Sequence, residues 1–284
     1  MLETLNRIAS RFRNAPILRN QRWLWGGIEK LWNKVFSLAS RNTGYATRIN
    51  GEVFRLEYVY GARYDRADKQ QYERDFYDAF TGSIRPGMTV FDIGAHVGIM
   101  ALGAARRAGA QGHVFAFEPA PDTLAVLRRH AGFNRDLGSL EVVGVCVSDA
   151  GGSVPFYTYG QSMAASVSRV NVEVLNPEVR TAPAREVLVP AVTIDAFCQE
   201  RKIQPDVIKI DVEGAELRVL RGAREVLTTY RPRVLCEVHP KQMENCGSSL
   251  AEFEAYLESV GYASQILDVP NPIGIYHAAL TAKS

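Results

Sequence analysis

Val90-Phe91-Asp92-Ile93-Gly94-Ala95-His96-Val97-Gly98 is the stretch that decides the fold. An apolar run ends on a carboxylate, glycines follow two and six residues after it, and small residues continue to Ala108. This pattern predicts a strand over 89–93 and a helix over 98–108. Gly94 lets the backbone turn tightly and lets a ligand come close. The helix behind it turns its unbonded N–H groups and its positive dipole end toward the strand end.

The same alternation continues downstream. A strand is expected over 113–117 and a helix over 121–133, with Pro121 in its first turn. Further strands are expected over 140–145, 207–210 and 234–238, with two more near 262–267 and 273–280. Helices are expected from Thr193-Ile194-Asp195 to Arg201, over 213–228 (Leu217, Leu220, Ala223 and Leu227 on one stripe) and over 248–259. Strands alternating with helices argue for an α/β fold, a doubly wound, mostly parallel sheet with helices on both faces. In such sheets ligands bind beyond the C-terminal strand ends, where the strand order reverses.

Upstream, residues 45–60 alternate around Asn50-Gly51, a hairpin signal. Residues 66–80 read as a helix with Tyr72, Phe76 and Phe80 on one face. Residues 151–192 carry short β-like pieces with Gly and Pro and read as an insertion. Three regions result: an N-terminal helical extension (1–48), a hairpin and helix leading into the core (49–88), and the core domain (89–284).

Of the 284 residues, 46% are hydrophobic and 23% charged, which excludes a disordered, collagen-like or coiled-coil protein. Cys146, Cys198, Cys236 and Cys246 form no CxxC pair, which disfavours zinc-ribbon and thioredoxin-type readings and suits reduced thiols in a cytoplasmic compartment. No transmembrane run and no secretory leader is expected. The net charge of +2 hides an asymmetry. Residues 1–48 hold nine basic and two acidic residues, a charge of +7, and the remainder is −5. The acidic body is unlike a nucleic-acid binder. The basic segment also carries Phe12, Trp23, Trp25, Trp32 and Phe36. It reads either as an arm whose aromatics pack on the body or as an amphipathic helix at an anionic membrane surface.

Five motifs fall at strand ends. In the first, a dinucleotide fingerprint would place a second glycine where His96 stands, and the turn opens with Asp92. A pyrophosphate is repelled by that carboxylate, whereas a ligand with its own carboxylate and positive charges suits the loop. S-adenosylmethionine has both. In the second, Phe115-Ala116-Phe117-Glu118-Pro119, Glu118 stands 20 residues past Gly98. A carboxylate there can accept both ribose hydroxyls of an adenosine ligand. In the third, Ser148 and Asp149 either reach the adenine edge or open a turn. In the fourth, Ile208-Lys209-Ile210-Asp211-Val212-Glu213-Gly214-Ala215-Glu216, Asp211 closes an apolar strand, while Glu213 and Glu216 open a helix and suit its dipole. In the fifth, Leu235-Cys236-Glu237-Val238-His239-Pro240 brings a carboxylate and an imidazole to the same edge. Asp211 or His239, with Glu237 third, is positioned to take an acceptor proton. These three could also converge on a metal, but no compact ligand motif is present, and metal independence is expected.

Together these residues resemble the FkbM family of S-adenosylmethionine-dependent methyltransferases, over roughly 72–266. The resemblance rests on VFDIGAHVGIMAL, FAFEP, VSDAGGSV, the TID before a helix, IKIDVEGAELRVLRGA and CEVHP. It implies a class I methyltransferase (Rossmann-like) fold, a seven-stranded sheet with one antiparallel strand. It implies O-methylation of hydroxyls on natural products, sugars or lipids, with carboxyl methylation as an alternative. By motif position, Asp92, Gly94 and Gly98, with Ala95 and His96 between them, would hold the methionine moiety. Glu118 and Pro119 would hold the ribose, and Asp211 would sit near the sulfonium and the acceptor. The family usually has Asn where this chain has His96. A nicotinamide-dependent oxidoreductase and a non-catalytic binding subunit are the competing readings. The acceptor pocket is expected from 45–80, the 151–190 insertion and the strand-end loops, with Tyr60, Tyr64, Tyr157 and Tyr159 as aromatic surfaces.

Overall fold

A computed structural model of the chain describes residues 22–64, 73–158, 165–171 and 184–283, of which 22–30 are described as backbone only. Tyr72, Tyr159 and Phe12 lie outside the described residues, as do the side chains of Trp23 and Trp25. The chain divides into two compact units, 1–74 with 132–134, and 75–131 with 135–284.

In the first unit, α1 (Arg22–Ala39) precedes a hairpin of β1 (Tyr45–Ile49) and β2 (Glu52–Leu56), followed by α2 (Tyr58–Tyr64). The hairpin turns at Asn50-Gly51 as expected, with Ile49 opposite Glu52. Trp32 stacks on Phe36 at 4.8 Å, and Phe36 lies 5.0 Å from Tyr58. These aromatics pack within the first unit. Leu31, Val35 and Leu38, spaced four and three residues apart on α1, are exposed.

The second unit is built on a seven-stranded sheet in the order β11-β12-β10-β9-β3-β4-β5. Its strands are β3 (Thr89–Ile93), β4 (His113–Phe117), β5 (Ser139–Val143), β9 (Val207–Ile210), β10 (Arg233–Val238), β11 (Tyr262–Ile266) and β12 (Tyr276–Ala282). Neighbours from β5 to β10 pair in parallel, and β12 runs antiparallel to both β10 and β11. The order reverses between β3 and β9, which is the switch point. The third strand ends at Val143, and residues 146–147 (β6) leave the main sheet to pair with β8 (Arg185–Val192), which also pairs with β7 (Gly152–Thr158). The expected insertion is thus a small separate sheet.

One face of the main sheet is apolar. Phe91, Ile93, Phe115, Phe117, Ile208, Ile210, Val234, Cys236 and Val238 form a buried cluster there with Phe197 of α6 (Ile194–Arg201). The rings of Phe91, Phe115 and Phe117 each meet Phe197 edge to face at 5.0–5.7 Å. Alternation along the strands sends Asp92, Lys209 and Glu237 to the opposite face. Two helices of that unit are α4 (Ile99–Ala108) and α5 (Pro121–Phe133, whose last two residues belong to the first unit).

Two expected helices differ. That over 66–80 is observed as α3 (Arg74–Gly82), with 65–72 outside the described residues. That over 213–228 is two short helices, α7 (Glu216–Arg221) and α8 (Arg224–Thr229). The Asp195 carboxylate reaches in from α6 and accepts the N–H groups of Glu225 and Val226, both at 2.9 Å, capping a new helix start. Gly222 at the break passes so close to Ser148 that a Cβ would sit 2.1 Å from its carbonyl oxygen. Tertiary packing here overrides an unbroken apolar stripe. The chain also forms α9 (Pro240–Asn245), which the sequence reading did not anticipate, and α10 (Leu250–Ser259). All four cysteines are free and buried.

Candidate active site

The C-terminal edge of the sheet gathers nearly every residue singled out from the sequence. Gly94 has φ +77°, and a Cβ on it would fall 1.7 Å from the Asp211 carbonyl oxygen. That contact is what brings β9 against the loop after β3. His96 has φ +48°, the left-handed region that Asn and His tolerate better than most residues. A histidine in place of asparagine therefore keeps the turn's backbone.

Glu118 closes β4 and is buried. Its two carboxylate oxygens accept the N–H of His96 at 2.9 Å and the N–H of Ala120 at 2.8 Å. Burial raises its pKa to about 7, against the opposing pull of those two N–H groups. Gly98 caps α4, and no side chain caps that helix start.

Asp92 and Lys209 are register partners on β3 and β9. Lys209 Nζ donates to the Gly94 carbonyl at 2.9 Å and lies 3.1 Å from Asp92 Oδ1 and 3.4 Å from Asp211 Oδ2. The positive partner expected for Asp92 is thus present within the chain. Two carboxylates share this one ammonium, and burial separates them. Asp92 is fully buried beside Lys209, and desolvation raises its pKa although Lys209 opposes it. At Asp211, a quarter of which stays open, desolvation is outweighed by Lys209 and then His239, so its pKa is lowered. Lys209 was quoted in the sequence motif without a role. Its signal was a lysine inside an otherwise apolar four-residue strand.

Glu213 does not open a helix. It stands in a left-handed turn at φ +51°, and α7 begins at Glu216. Glu216 is fully buried, and its Oε1 accepts the Gly214 N–H at 3.0 Å and lies 2.7 Å from His239 Nδ1. It orients an imidazole, which helix-dipole stabilisation alone does not account for. His239 is 2% exposed, with Nε2 at 3.5 Å from Glu213 Oε2 and 3.9 Å from Glu237 Oε1. Burial acts to lower its pKa, but the carboxylates of Glu216, Glu213 and Asp211 outweigh burial and raise it to about 10. An imidazole held towards its protonated form by these carboxylates leaves them the better proton acceptors. Asp211, Glu237 and His239 do converge, each offering a ligand atom within 4.8 Å of the others.

Two further groups escaped the sequence reading. β12 runs antiparallel, so its first residues lie at the same edge, and His277 sits opposite Glu237. Its Nδ1 pairs with Asp268 Oδ2 at 2.5 Å, and its Nε2 lies 3.8 Å from Glu237 Oε1. Asn171 of the insertion is buried and donates to the carbonyls of Glu213 at 2.8 Å and Gln242 at 3.2 Å, clamping the Glu213 turn to α9. Ser148 is buried with its hydroxyl 3.1 Å from Asp149 Oδ1, the arrangement of a local turn.

Comparisons with known proteins identify the family. Methyltransferase sdnD from Sordaria araneosa is 30% identical over 158 residues, 48% of this chain and 60% of that protein. The chain therefore spans 60% of that relative's length, less than two thirds. The 31-O-demethyl-FK506 methyltransferase FkbM from Streptomyces tacrolimicus is 28% identical over 201 residues, 63% of this chain and 74% of that one. The hexuronic acid methyltransferase AglP from Haloferax volcanii is 25% identical over 198 residues, 69% and 72% of the two chains. The family model described as the methyltransferase FkbM domain matches residues 92–264, from the carboxylate that ends β3 to the middle of β11. With more than half of its length inside that match, the chain belongs to the methyltransferase FkbM domain family.

Proposed function

We propose that the chain is an S-adenosylmethionine-dependent O-methyltransferase acting on a hydroxyl of a sugar or glycolipid, or of a small natural product of polyketide type. The observation that carries this reading is the Glu118 carboxylate held by the N–H of His96 in the loop 94–98, which leads into a start of α4 that no side chain caps. The residues present fit the cofactor. The Glu118 oxygens each accept one N–H and retain capacity for ribose hydroxyls. The N-terminus of α4 suits the methionine carboxylate. The names of two relatives, one for an FK506 derivative and one for a hexuronic acid, support an oxygen-rich acceptor.

When bound, S-adenosylmethionine supplies a methyl group already activated by its sulfonium. The chain has to align it with the acceptor oxygen, a contribution of about 7–11 kcal/mol in well-oriented systems. Asp211 and Glu237, each partly open at the edge, are placed to take the hydroxyl proton. With the cofactor bound, these residues would hold the acceptor oxygen and take its proton as the methyl is passed to it and the sulfur becomes a neutral thioether.

Titration calorimetry with S-adenosylhomocysteine, with NADH as control, tests this reading. Micromolar binding of the first and none of the second is expected; the reverse would favour an oxidoreductase. The affinity should also depend on pH. In the free protein Glu118 is neutral below about 7 and ionised above it. Ribose hydroxyls prefer the ionised form, so affinity should fall as pH drops below 7, by up to about tenfold per unit. A flat profile from pH 8 to pH 5.5 would remove Glu118 from the cofactor site.

The exposed row Leu31, Val35 and Leu38, on a segment of charge +7, favours peripheral contact with an anionic bilayer. No helix among the described residues is long and apolar enough to cross a membrane. The full chain should float with phosphatidylglycerol vesicles and lose most of that binding when all three residues are replaced by Glu. Equal flotation of both proteins would refute the contact.

A further inference from the structure

The acceptor half of the edge holds a donor set that methyl transfer by proton removal alone does not require. We propose that Asp211, Glu237 and Nε2 of His239 form a binding site for one divalent cation of the Mg²⁺/Mn²⁺ class. The inference reverses the expectation of metal independence. The ion's role in catalysis rests on the methyltransferase reading; its binding does not.

The geometry argues for it in three ways. First, the three ligand atoms lie within 4.8 Å of one another, although they leave two different strands. Ligands about 2.1–2.4 Å from a shared ion stand roughly 3–4.5 Å apart, so only small side-chain movements close the site. Second, the imidazole is already oriented. Metal-bound histidines commonly give their other ring N–H to a carboxylate, which fixes the ring. His239 Nδ1 lies 2.7 Å from Glu216 Oε1, and that carboxylate is fully buried and pinned by the Gly214 N–H. His239 itself is 2% exposed, and its Nε2 faces Glu213 Oε2 at 3.5 Å and Glu237 Oε1 at 3.9 Å. Third, Asp211, Glu213, Glu216 and Glu237 crowd around that ring, and Lys209, which neutralises Asp211, is shared with Asp92.

Two carboxylate oxygens and one imidazole suit a cation between the hard and borderline classes, and Mn²⁺ takes both donor types. Ligation requires His239 to give up its Nε2 proton, which the incoming double charge displaces. Three protein ligands leave open positions. An acceptor presenting two neighbouring oxygens, such as vicinal hydroxyls or a 2-hydroxy acid, would fill them and have its hydroxyl pKa lowered.

The test uses the full chain, stripped with chelator, without cofactor or acceptor. MnCl₂ is titrated while free Mn²⁺ is read by electron paramagnetic resonance. The expected result is one ion per chain with Kd below ~100 μM, displaced by Mg²⁺. Affinity should fall at least tenfold in Asp211→Asn and in Glu237→Gln, each checked for native circular dichroism. Nitrogen modulation in the pulsed spectrum of bound Mn²⁺ should vanish in His239→Gln. Absence of stoichiometric binding by protein that binds S-adenosylhomocysteine, or binding unchanged in both carboxylate variants, would overturn the site and leave the methyltransferase reading standing. Mn²⁺ binding without S-adenosylhomocysteine binding would do the opposite.

Discussion

Gly94→Ala is expected to abolish S-adenosylhomocysteine binding and to lower the melting temperature by about 10 °C. The added Cβ would lie 1.7 Å from the Asp211 carbonyl oxygen and 2.9 Å from its carbon, and those atoms are backbone. The residue has no route of relief. Its N–H donates to the Phe117 carbonyl at 3.0 Å, its own carbonyl accepts Lys209 Nζ at 2.9 Å, and φ is +77°. Left-handed strain alone costs about 1–3 kcal/mol, and pushing β9 off β3 brings the total to about 4 kcal/mol. Gly51→Ala separates the two contributions. Gly51 also has a positive φ, +87°, but nothing lies within 4 Å of the position of its Cβ. It should cost only about 1 kcal/mol and leave cofactor binding intact. If Gly94→Ala behaves like Gly51→Ala, the close approach of the two strands is not what the loop requires.

Lys209→Met should destabilise the chain by about 3–5 kcal/mol, because it leaves a fully buried carboxylate without its cation. Asp92 would then ionise only at a higher cost. A carboxyl whose folded pKa is raised contributes stability at low pH that is lost as pH rises through the folded value. Urea denaturation of Lys209→Met should therefore show a deficit that shrinks as pH is lowered from 8 to 5. The double variant Asp92→Asn with Lys209→Met should recover part of the loss, since the charge that Lys209 neutralised is gone. A single variant as stable as the wild type, or a double variant no better than the single, would show that the pair is not what keeps the switch point together.

Most of the architecture was legible because strand ends and turns carry it. Asp92-Ile93-Gly94, Phe117-Glu118 and Ile210-Asp211 each show an apolar run stopping at a carboxylate, and the fold places all three at one edge. The parts that escaped depend on pairing across the sheet. Lys209 reads as an anomaly in a strand until its register opposite Asp92 is known. His277 is the second residue of the last strand, far in sequence from every motif, and reaches the edge only because β12 runs antiparallel. The break between α7 and α8 depends on Asp195 arriving from another helix. His239 is legible from its position beside Glu237, but Glu216, which reads as a helix-dipole residue, is revealed as its buried partner only by the fold.

The sharing of Lys209 by the two halves of the edge also has a consequence for how the protein is made. The Lys209–Gly94 bond spans 115 residues. β3, β4 and β5 can assemble while the ribosome is still synthesising the insertion, since domains begin to fold N-terminal first. During that interval β3 has one unpaired edge, and Asp92 beside it has no counter-charge. Closing so long a span before its contacts are repaid is slow. The nascent chain therefore passes through a stage with a sticky, incomplete sheet and no functional pocket. The arrival of β9 covers the β3 edge and gives Asp92 its counter-charge in a single event, before β10 brings Glu237 and His239.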